Sequence, residues 1–286
     1  MNSKVPGIVL AATPIGDASD ASQHLRRLLE TADVIAAEDT RRLRELAARL
    51  GVRIDGQLIS FYDHNERARV DSLLEQARSG VVAVVSDAGL PLISDPGFAL
   101  VRAAIAAGVP VTCAPGPSAV LTALALSGLP TDRFAFDGFV PRAAGARTAW
   151  LDQVAAEPRT LVVFEAARRL AATLAEAAAR LGPDRPAAIA RELTKPHQEI
   201  LRGGLGQLAE QAAARELKGE VTLVIGGAPG GGAPAAPQDL TALVREVNRL
   251  VDAGAGLKQA TASVAAAAGL SKRTLYQAVL AARPGP

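Results

Sequence analysis

Short apolar segments alternate with helical patterns through the first 127 residues, and this order constrains the fold more than any other feature of the chain. The apolar segments are aliphatic and bounded by Gly, Pro or Asp, as buried strands are. They cover residues 8–12, 34–37, 81–86 and 109–113, and the helical patterns between them cover residues 22–31, 41–50 and 66–79. A strand–helix–strand order predicts a mainly parallel sheet in an α/β domain.

A second α/β section follows Gly128-Leu129-Pro130-Thr131. Its strands are predicted at residues 134–139, 160–164, 187–191, 199–202 and 221–225, and its helices at residues 146–156, 170–181 and 205–215. Two of these strands follow each other without a helix between them, so we expect a mixed sheet. The predicted domains are therefore residues 1–127 and 128–227.

The remainder of the chain is predicted to be a flexible linker and a small helical extension. Residues 228–238 contain little except Gly, Pro and Ala, which cannot form a core. Residues 239–286 carry helical patterns at 240–253, 257–268 and 272–282, the last with Ser271 as its N-cap. The last two resemble a helix-turn-helix unit that presents Lys272, Arg273 and Tyr276 to nucleic acid. The alternative is a docking bundle with a solvated basic face.

The composition excludes several classes of protein. A single cysteine, Cys113, excludes an internal disulfide, and with only three scattered histidines no metal site is expected. No apolar run reaches the roughly 18 residues of a membrane span, and residues 1–7 lack the order of a signal peptide. We therefore expect a cytoplasmic protein without a membrane partner. Six basic and three acidic residues follow position 227, which favours an anionic partner for the tail.

Three polar or Gly/Pro-rich loops directly follow predicted strands, at residues 12–16, 86–97 and 114–118. Parallel sheets bind ligands beyond the carboxyl ends of their strands, so these loops are expected to converge on one site. Asp87 and Asp95 can receive amine or ribose hydroxyl groups there. Asp95-Pro96 also has the pattern of a helix start, as does Ser118. No loop matches the Rossmann or P-loop glycine pattern.

Eight motifs come in an order and spacing that resemble one family. They are ATPIG (12–16), AAEDTR (36–41), FYDHN (61–65), SDAGLPLISDPG (86–97), PGPSA (115–119), SGLPTDRFAFDGF (127–139), ARELTK (190–195) and GE (219–220). This set of motifs is similar to that of the tetrapyrrole methylase superfamily, and within it to that of the small-subunit ribosomal RNA cytidine-2′-O-methyltransferases. The resemblance covers residues 8–225.

The resemblance implies a homodimer and S-adenosylmethionine bound between two α/β domains. It also implies small-subunit ribosomal RNA as the partner, within the assembled 30S particle. The implied cofactor neighbours in the first domain are Pro14, Ser86, Asp87, Ala88, Gly89, Ile93, Asp95, Ser118 and Ala119. Those in the second domain are Phe164, Glu165, Glu192, Leu193 and Gly219.

The sequence departs from the family pattern at three places. Leu90 and Leu92 stand where the family usually has Thr and Gly. Ala166-Ala167-Arg168 replaces a Ser-Pro-His core, although Glu165 and Arg169 persist. Ala143 follows Pro141-Arg142 where the family usually has Lys.

Methyl transfer to a ribose 2′-oxygen needs a nearby proton acceptor but no metal. Asp39 is the first candidate, followed by Glu38, Glu192 and Lys195; for each of them the alternative is a structural ion pair. Arginines predicted to contact RNA phosphates are Arg41, Arg42, Arg44, Arg142 and Arg147, with a solvated helix face as the alternative. Phe61 and Tyr62 can stack a base, although Phe61 also fits a core position.

Two other functions remain open at this point. One is methylation of a corrinoid or porphyrin precursor, for which a basic helical tail has no evident use. The other is a DNA-binding regulator with the α/β domains as a small-molecule sensor, which would require a symmetric pair of recognition helices.

Overall fold

The computed structural model describes residues 5–228, 240–268 and 272–282. Its first sheet is wholly parallel, which confirms the predicted parallel arrangement, and its strand order is β3-β2-β4-β1-β5. The strands are β1 Gly7–Ala11, β2 Val34–Ala37, β3 Gln57–Ser60, β4 Val81–Val85 and β5 Val111–Ala114. The helices are α1 Gln23–Thr31, α2 Thr40–Leu50, α3 Glu66–Ser79, α4 Phe98–Ala106 and α5 Ala119–Ser127. Strand β3 was not predicted. It is an edge strand with polar residues at both ends, so it lacks the apolar run by which the other strands were identified.

Side-chain caps fix where several of these helices begin. Ser118 caps α5 as predicted, with its Oγ accepting from Leu121 N at 3.4 Å. The prediction that Asp95 starts a helix was wrong, because α4 begins only at Phe98, after Gly97 with φ 129°. The Glu66 carboxylate takes the capping role from another helix, accepting from Gly97 N at 3.1 Å and from Ala99 N at 2.7 Å.

The second sheet is mixed, as predicted, in the order β6-β7-β10-β8-β9. Only β6 and β7 run parallel within it. The strands are β6 Phe134–Phe139, β7 Thr160–Ala166, β8 Pro186–Arg191, β9 Glu199–Gly204 and β10 Glu220–Ile225. The helices are α6 Ala144–Val154, α7 Ala167–Leu181 and α8 Leu205–Ala213. One face of the sheet packs on these helices through a large aliphatic core.

Helix α5 packs on the opposite face of the second sheet rather than on the first. Its Val120, Ala123 and Leu124 share a buried cluster with Val162 and Val224 of that sheet. This packing favours a domain boundary before α5, whereas the sequence pattern predicted one after it. The start of α5 is thereby held between the two sheets.

The tail forms three helices with a small core of their own. They are α9 Leu240–Asp252, α10 Leu257–Ala267 and α11 Lys272–Ala281. Val247, Leu275 and Val279 are fully buried among them. The predicted cap Ser271 and the predicted linker, apart from Ala228, lie outside the described residues. None of the described helices is long and apolar enough to cross a bilayer.

The loop after β1 touches the loop after β8, and this contact joins the two sheets. Asp17 N donates to Thr194 Oγ1 at 3.0 Å, and Ile15 packs with Leu193 in one buried cluster. Thr194 has a left-handed backbone with φ 61°. A Cβ at Gly16 would lie 2.6 Å from Thr194 Oγ1 and 2.8 Å from Leu193 O, so only glycine allows this approach.

Gly16→Ala is therefore expected to force the two loops apart. Because a backbone carbonyl is among the atoms contacted, we expect a loss of about 1–3 kcal/mol in the free energy of unfolding. Binding of S-adenosylmethionine, the cofactor implied by the motifs, is expected to weaken by at least about tenfold. Urea unfolding and calorimetric titration measure the two effects. Gly145→Ala is the matched control, since nothing lies within 4 Å of its added carbon. Equal behaviour of the two variants would contradict a tight contact at Gly16.

Candidate active site

A cleft with a volume of about 470 Å³ opens between the loops of the first sheet and the strands β7, β8 and β10. Most of the residues predicted to bind the cofactor line it. These are Asp87, Ala88, Gly89, Ile93, Asp95, Ser118, Ala119, Phe164, Glu165, Leu193 and Gly219. Pro14, Ser86 and Glu192 are not among its lining residues. The two sheets thus bring motifs that are distant in the sequence together around this cleft.

The loop of residues 86–97 is fastened to the loop after β1. Thr13 N donates to Gly89 O at 2.9 Å, and Gly89 N donates to Thr13 O at 3.1 Å. The fully buried Thr13 hydroxyl donates to Ser86 O at 3.2 Å. Thr13 and Ser86 therefore support the loop from behind, while Ala88 and Gly89 face the cleft.

Two non-glycine residues in this loop have left-handed backbones, Leu92 with φ 74° and Ser94 with φ 67°. Leu92 stands where the family usually has glycine, and such a conformation costs about 1 kcal/mol or more for a branched side chain. Its Cδ1 lies 2.5 Å from where a Cβ on Gly97 would be. The Leu92 side chain thus fills space that is open only because residue 97 is glycine.

Carboxylates crowd the first-sheet side of the cleft. Asp87 N donates to Glu38 Oε2 at 3.1 Å, and Arg42 Nη1 lies 2.9 Å from Asp87 Oδ2. Burial raises the pKa of Glu38. Burial also raises the pKa of Asp95 to about 7, a change that a hydrogen bond from Ser86 opposes and the charges of Glu38, Asp87 and Asp63 reinforce. A cationic ligand would relieve this repulsion.

Among the candidate proton acceptors, Glu38 lines the cleft and the others do not. Asp39 caps α2, accepting from Arg41 N at 2.8 Å, and its pairing with the Arg41 guanidinium holds its pKa far below the usual range. Asp39 is thus better explained as a cap and ion-pair partner than as a base.

Lys195 is held by two carboxylates instead of facing the cleft. Its Nζ lies 2.9 Å from Glu192 Oε1 and 3.0 Å from Glu220 Oε2. Burial disfavours its charge, but the hydrogen bonds to both carboxylates outweigh burial and raise its pKa. Glu192 Oε1 also accepts from Glu220 N at 2.9 Å. The geometry therefore gives Lys195 and Glu192 a structural role at the loop after β8.

A buried ion pair borders the cleft on the second-sheet side. The Glu165 side chain is fully buried and pairs with Arg169. Its carboxylate also accepts from Ala166 N and from Thr173 Oγ1, both at 2.6 Å. Arg169 donates to Val140 O at 3.0 Å. The pair thereby fixes the chain that leaves β6.

The arginines predicted to contact RNA separate into two groups. Arg42 lines the cleft and is 66% exposed at its side chain, and Arg44 and Arg142 are exposed. Arg41 is exposed but paired with Asp39. Arg147 is mostly buried, with its Nε 2.6 Å from Glu176 Oε2, so the structure does not favour it as a phosphate contact.

The remaining predicted RNA contacts lie on α11, and the two stacking candidates lie near α3. Lys272 and Arg273 are exposed, and Tyr276 is half-buried. Phe61 is buried in the core beside the first sheet, whereas Tyr62 is 42% exposed. Phe139, at the end of β6, lines the cleft and was not predicted.

The substitution Asp95→Asn tests the electrostatics of the cleft. Because the folded pKa of Asp95 is raised, the folded state binds more protons than the unfolded state between about pH 4 and pH 7, and stability is lost as the pH rises through that range. Removing the charge is expected to raise the Tm by roughly 3–6 °C at pH 8 and by less at pH 5, after allowing for solvent screening. Thermal unfolding at both pH values measures this. Asp71→Asn, at an exposed position on α3, is the control, and an equal shift in both variants would contradict a buried charge at Asp95.

Comparison with known proteins agrees with this geometry. A family model described as Tetrapyrrole (Corrin/Porphyrin) Methylases matches residues 7–209. The chain is similar to a uroporphyrin-III C-methyl transferase from Thermus thermophilus, solved in complex with S-adenyl homocysteine, with a TM-score of 0.53 and 25% identity. That likeness covers 77% of this chain and 97% of the other.

Sequence relatives are more similar still. The ribosomal RNA small subunit methyltransferase I of Mycobacterium tuberculosis is 54% identical over 278 residues, 96% of this chain and 95% of that protein. The protein of the same name from Escherichia coli is 39% identical over 276 residues, 96% of this chain and 94% of the other. The chain therefore belongs to the tetrapyrrole (corrin/porphyrin) methylase family, and within it to the group named ribosomal RNA small subunit methyltransferase I.

Proposed function

We propose that this chain transfers a methyl group from S-adenosylmethionine to the ribose 2′-hydroxyl of a cytidine in small-subunit ribosomal RNA. The observation that carries the proposal is the 54% identity, over 96% of the chain, to a protein named for action on that RNA. The cleft supports it, since its lining includes the motif residues of both sheets.

The cleft fits S-adenosylmethionine in size and chemistry. Its volume of about 470 Å³ lies in the range of small-molecule sites, roughly 300–1,000 Å³. Asp87 and Asp95 complement a cationic ligand, and Ile93, Phe164 and Leu193 offer apolar surface for an adenine ring. When bound, S-adenosylmethionine supplies a methyl group made electrophilic by the adjoining sulfonium.

Glu38 is the residue we propose to accept the proton of the 2′-hydroxyl. It follows β2 directly and lines the cleft, and burial raises its pKa, which strengthens it as a base when ionised. Asp87 N donates to it at 3.1 Å and so fixes one of its oxygens. The ribose oxygen becomes nucleophilic as its proton passes to the Glu38 carboxylate.

The proposed RNA surface extends from the cleft to the tail. Arg142 after β6 carries exposed positive charge, Arg42 at the cleft is exposed but paired with Asp87, and α11 adds Lys272, Arg273 and Tyr276. Arginine and lysine bind phosphates without reading sequence, so these side chains would position the RNA. We further propose the assembled 30S particle as the substrate, which implies a cytoplasmic location.

We also propose that the chain acts as a homodimer. Helix α4 exposes Phe98 at 64% and Ile105 at 67%, with Arg102 lying over the Phe98 ring. Large apolar side chains at one helix face commonly mark an interface. A second copy of the chain is the occupant that the family resemblance implies.

A methyl-transfer assay tests the proposed function. Purified full-length chain with radiolabelled S-adenosylmethionine is expected to label small ribosomal subunits that lack the modification. Nuclease digestion is expected to recover the label as a 2′-O-methylcytidine. Free ribosomal RNA and a porphyrin precursor serve as comparison substrates. Label in the porphyrin precursor and none in either RNA substrate would reject the proposal in favour of a tetrapyrrole methylase.

Glu38→Gln tests the proton acceptor. The amide keeps the shape of the side chain but cannot take the proton, so kcat is expected to fall by about 10²- to 10⁴-fold. The Kd for S-adenosylmethionine is expected to change by less than threefold. Asp39→Asn is the matched variant, because asparagine also caps helices, and its kcat is expected to stay near that of the wild type. A large loss in Asp39→Asn with none in Glu38→Gln would assign the role to Asp39 instead.

A further inference from the structure

Strand β6 ends in a bulge beside the cleft. Phe136 lies opposite Val162, and Phe139 lies opposite Phe164, so β6 advances three residues while β7 advances two. Gly138, inside the bulge, has φ 69°, which glycine adopts without strain. Bulges of this kind redirect side chains and are frequent beside active sites.

The bulge changes the direction of one aromatic side chain. In a regular strand, residues three apart point to opposite faces. Here the extra residue brings Phe136 and Phe139 to the same side, and both rings contact Phe164, with centroids 5.0 Å and 5.3 Å away. Phe139 is the outermost ring, 61% exposed although it lines the cleft.

The bulge and the chain after it are held from both sides. Trp150 Nε1 of α6 donates to Asp137 Oδ2 at 3.0 Å. Arg169 donates to Val140 O at 3.0 Å and to Pro141 O at 3.3 Å, and is itself paired with the buried Glu165. The backbone on either side of Phe139 is therefore held in place, and its ring lies against Phe164, which lowers the entropy cost of stacking on it.

The surroundings of the ring indicate what covers it. Arg142 is exposed three residues further along, and the exposed side chain of Arg42 lines the same cleft. A Cβ at Gly138 would lie 3.6 Å from Ser94 Oγ, so the bulge borders the loop of residues 86–97. An exposed aromatic ring in a cleft that also carries arginine side chains suits a nucleobase, because arginine can contact the phosphates of the same strand.

We propose that Phe139 is the platform on which a nucleobase of the RNA substrate stacks while the adjoining ribose enters the cleft. This inference rests on the proposed function and names the side chain that holds the target nucleotide. The buried Glu165–Arg169 pair and the Asp137–Trp150 hydrogen bond act as positioning groups for that platform. The specificity it provides is for an unpaired base, since a base inside a duplex cannot stack on a protein ring.

Steady-state kinetics on undermethylated small subunits, with the full-length chain, test this role. Phe139→Ala is expected to raise the KM for the subunits by about tenfold to a hundredfold, the range for a lost base stack. Its kcat and its Kd for S-adenosylmethionine are expected to stay within twofold of the wild type. Phe139→Tyr is expected to restore the KM. Leu121→Ala, which removes a 55% exposed apolar side chain outside the cleft lining, is the control and is expected to leave all three values unchanged.

Four results would overturn the inference. A weaker Kd for S-adenosylmethionine with an unchanged KM for the subunits would make Phe139 a contact of the cofactor. Loss of the dimer in sedimentation of Phe139→Ala would make it an interface residue. Subunit methylation that Phe139→Ala leaves unchanged would reject the platform alone, whereas no methylation by the wild-type chain would reject the proposed function and the platform together.

Discussion

Two hydrogen bonds between Thr13 and Gly89 are the interaction on which the cleft depends. They join the loop after β1 to the loop of residues 86–97, and the buried Thr13 hydroxyl adds a third link to Ser86 O. Three residues later, Gly16 meets the loop after β8 of the second sheet. One short segment therefore positions the first-sheet wall of the cleft and also the contact between the sheets. Its backbone groups are buried, so an unpaired group there would cost about 1–3 kcal/mol.

The electrostatics of the cleft follow from that arrangement. Because the loop is fixed, Asp95 stays partly buried, and its burial raises its pKa to about 7, with the nearby charges of Glu38 and Asp87 adding to the rise. Arg42 offsets one of these charges through Asp87. The folded protein thus holds carboxylates together at a cost in stability, which is typical of sites that bind a cation or transfer a proton. A site for S-adenosylmethionine beside a proton acceptor would use both properties.

The sequence predicted the strands and the motif loops well, because aliphatic runs and Gly/Pro patterns are local signals. Prediction from the sequence failed where a residue distant in the sequence determines the local structure. Asp95-Pro96 has the local pattern of a helix start, but Glu66 of another helix caps α4 two residues later. Motif spacing also cannot separate lining residues from supporting ones, so Ser86 and Glu192 were grouped with Asp87 and Leu193. Phe139 escaped prediction because a bulge reverses the alternation on which strand patterns depend.

The departures from the family pattern are tolerated for reasons that the contacts make plain. Ala166 replaces a serine, yet the contact with Glu165 is made by the Ala166 backbone N–H, which almost any residue supplies. Glu165 and Arg169 make their contacts through their side chains, and loss of Arg169 would leave the fully buried Glu165 carboxylate without its cation, at a cost of about 3–5 kcal/mol. Leu92 accepts backbone strain, and its side chain fills the space beside Gly97. A contact made by a backbone group, as at Ala166, allows the residue type to vary. A contact made by a buried charged side chain, as at Glu165, requires its partner to be retained.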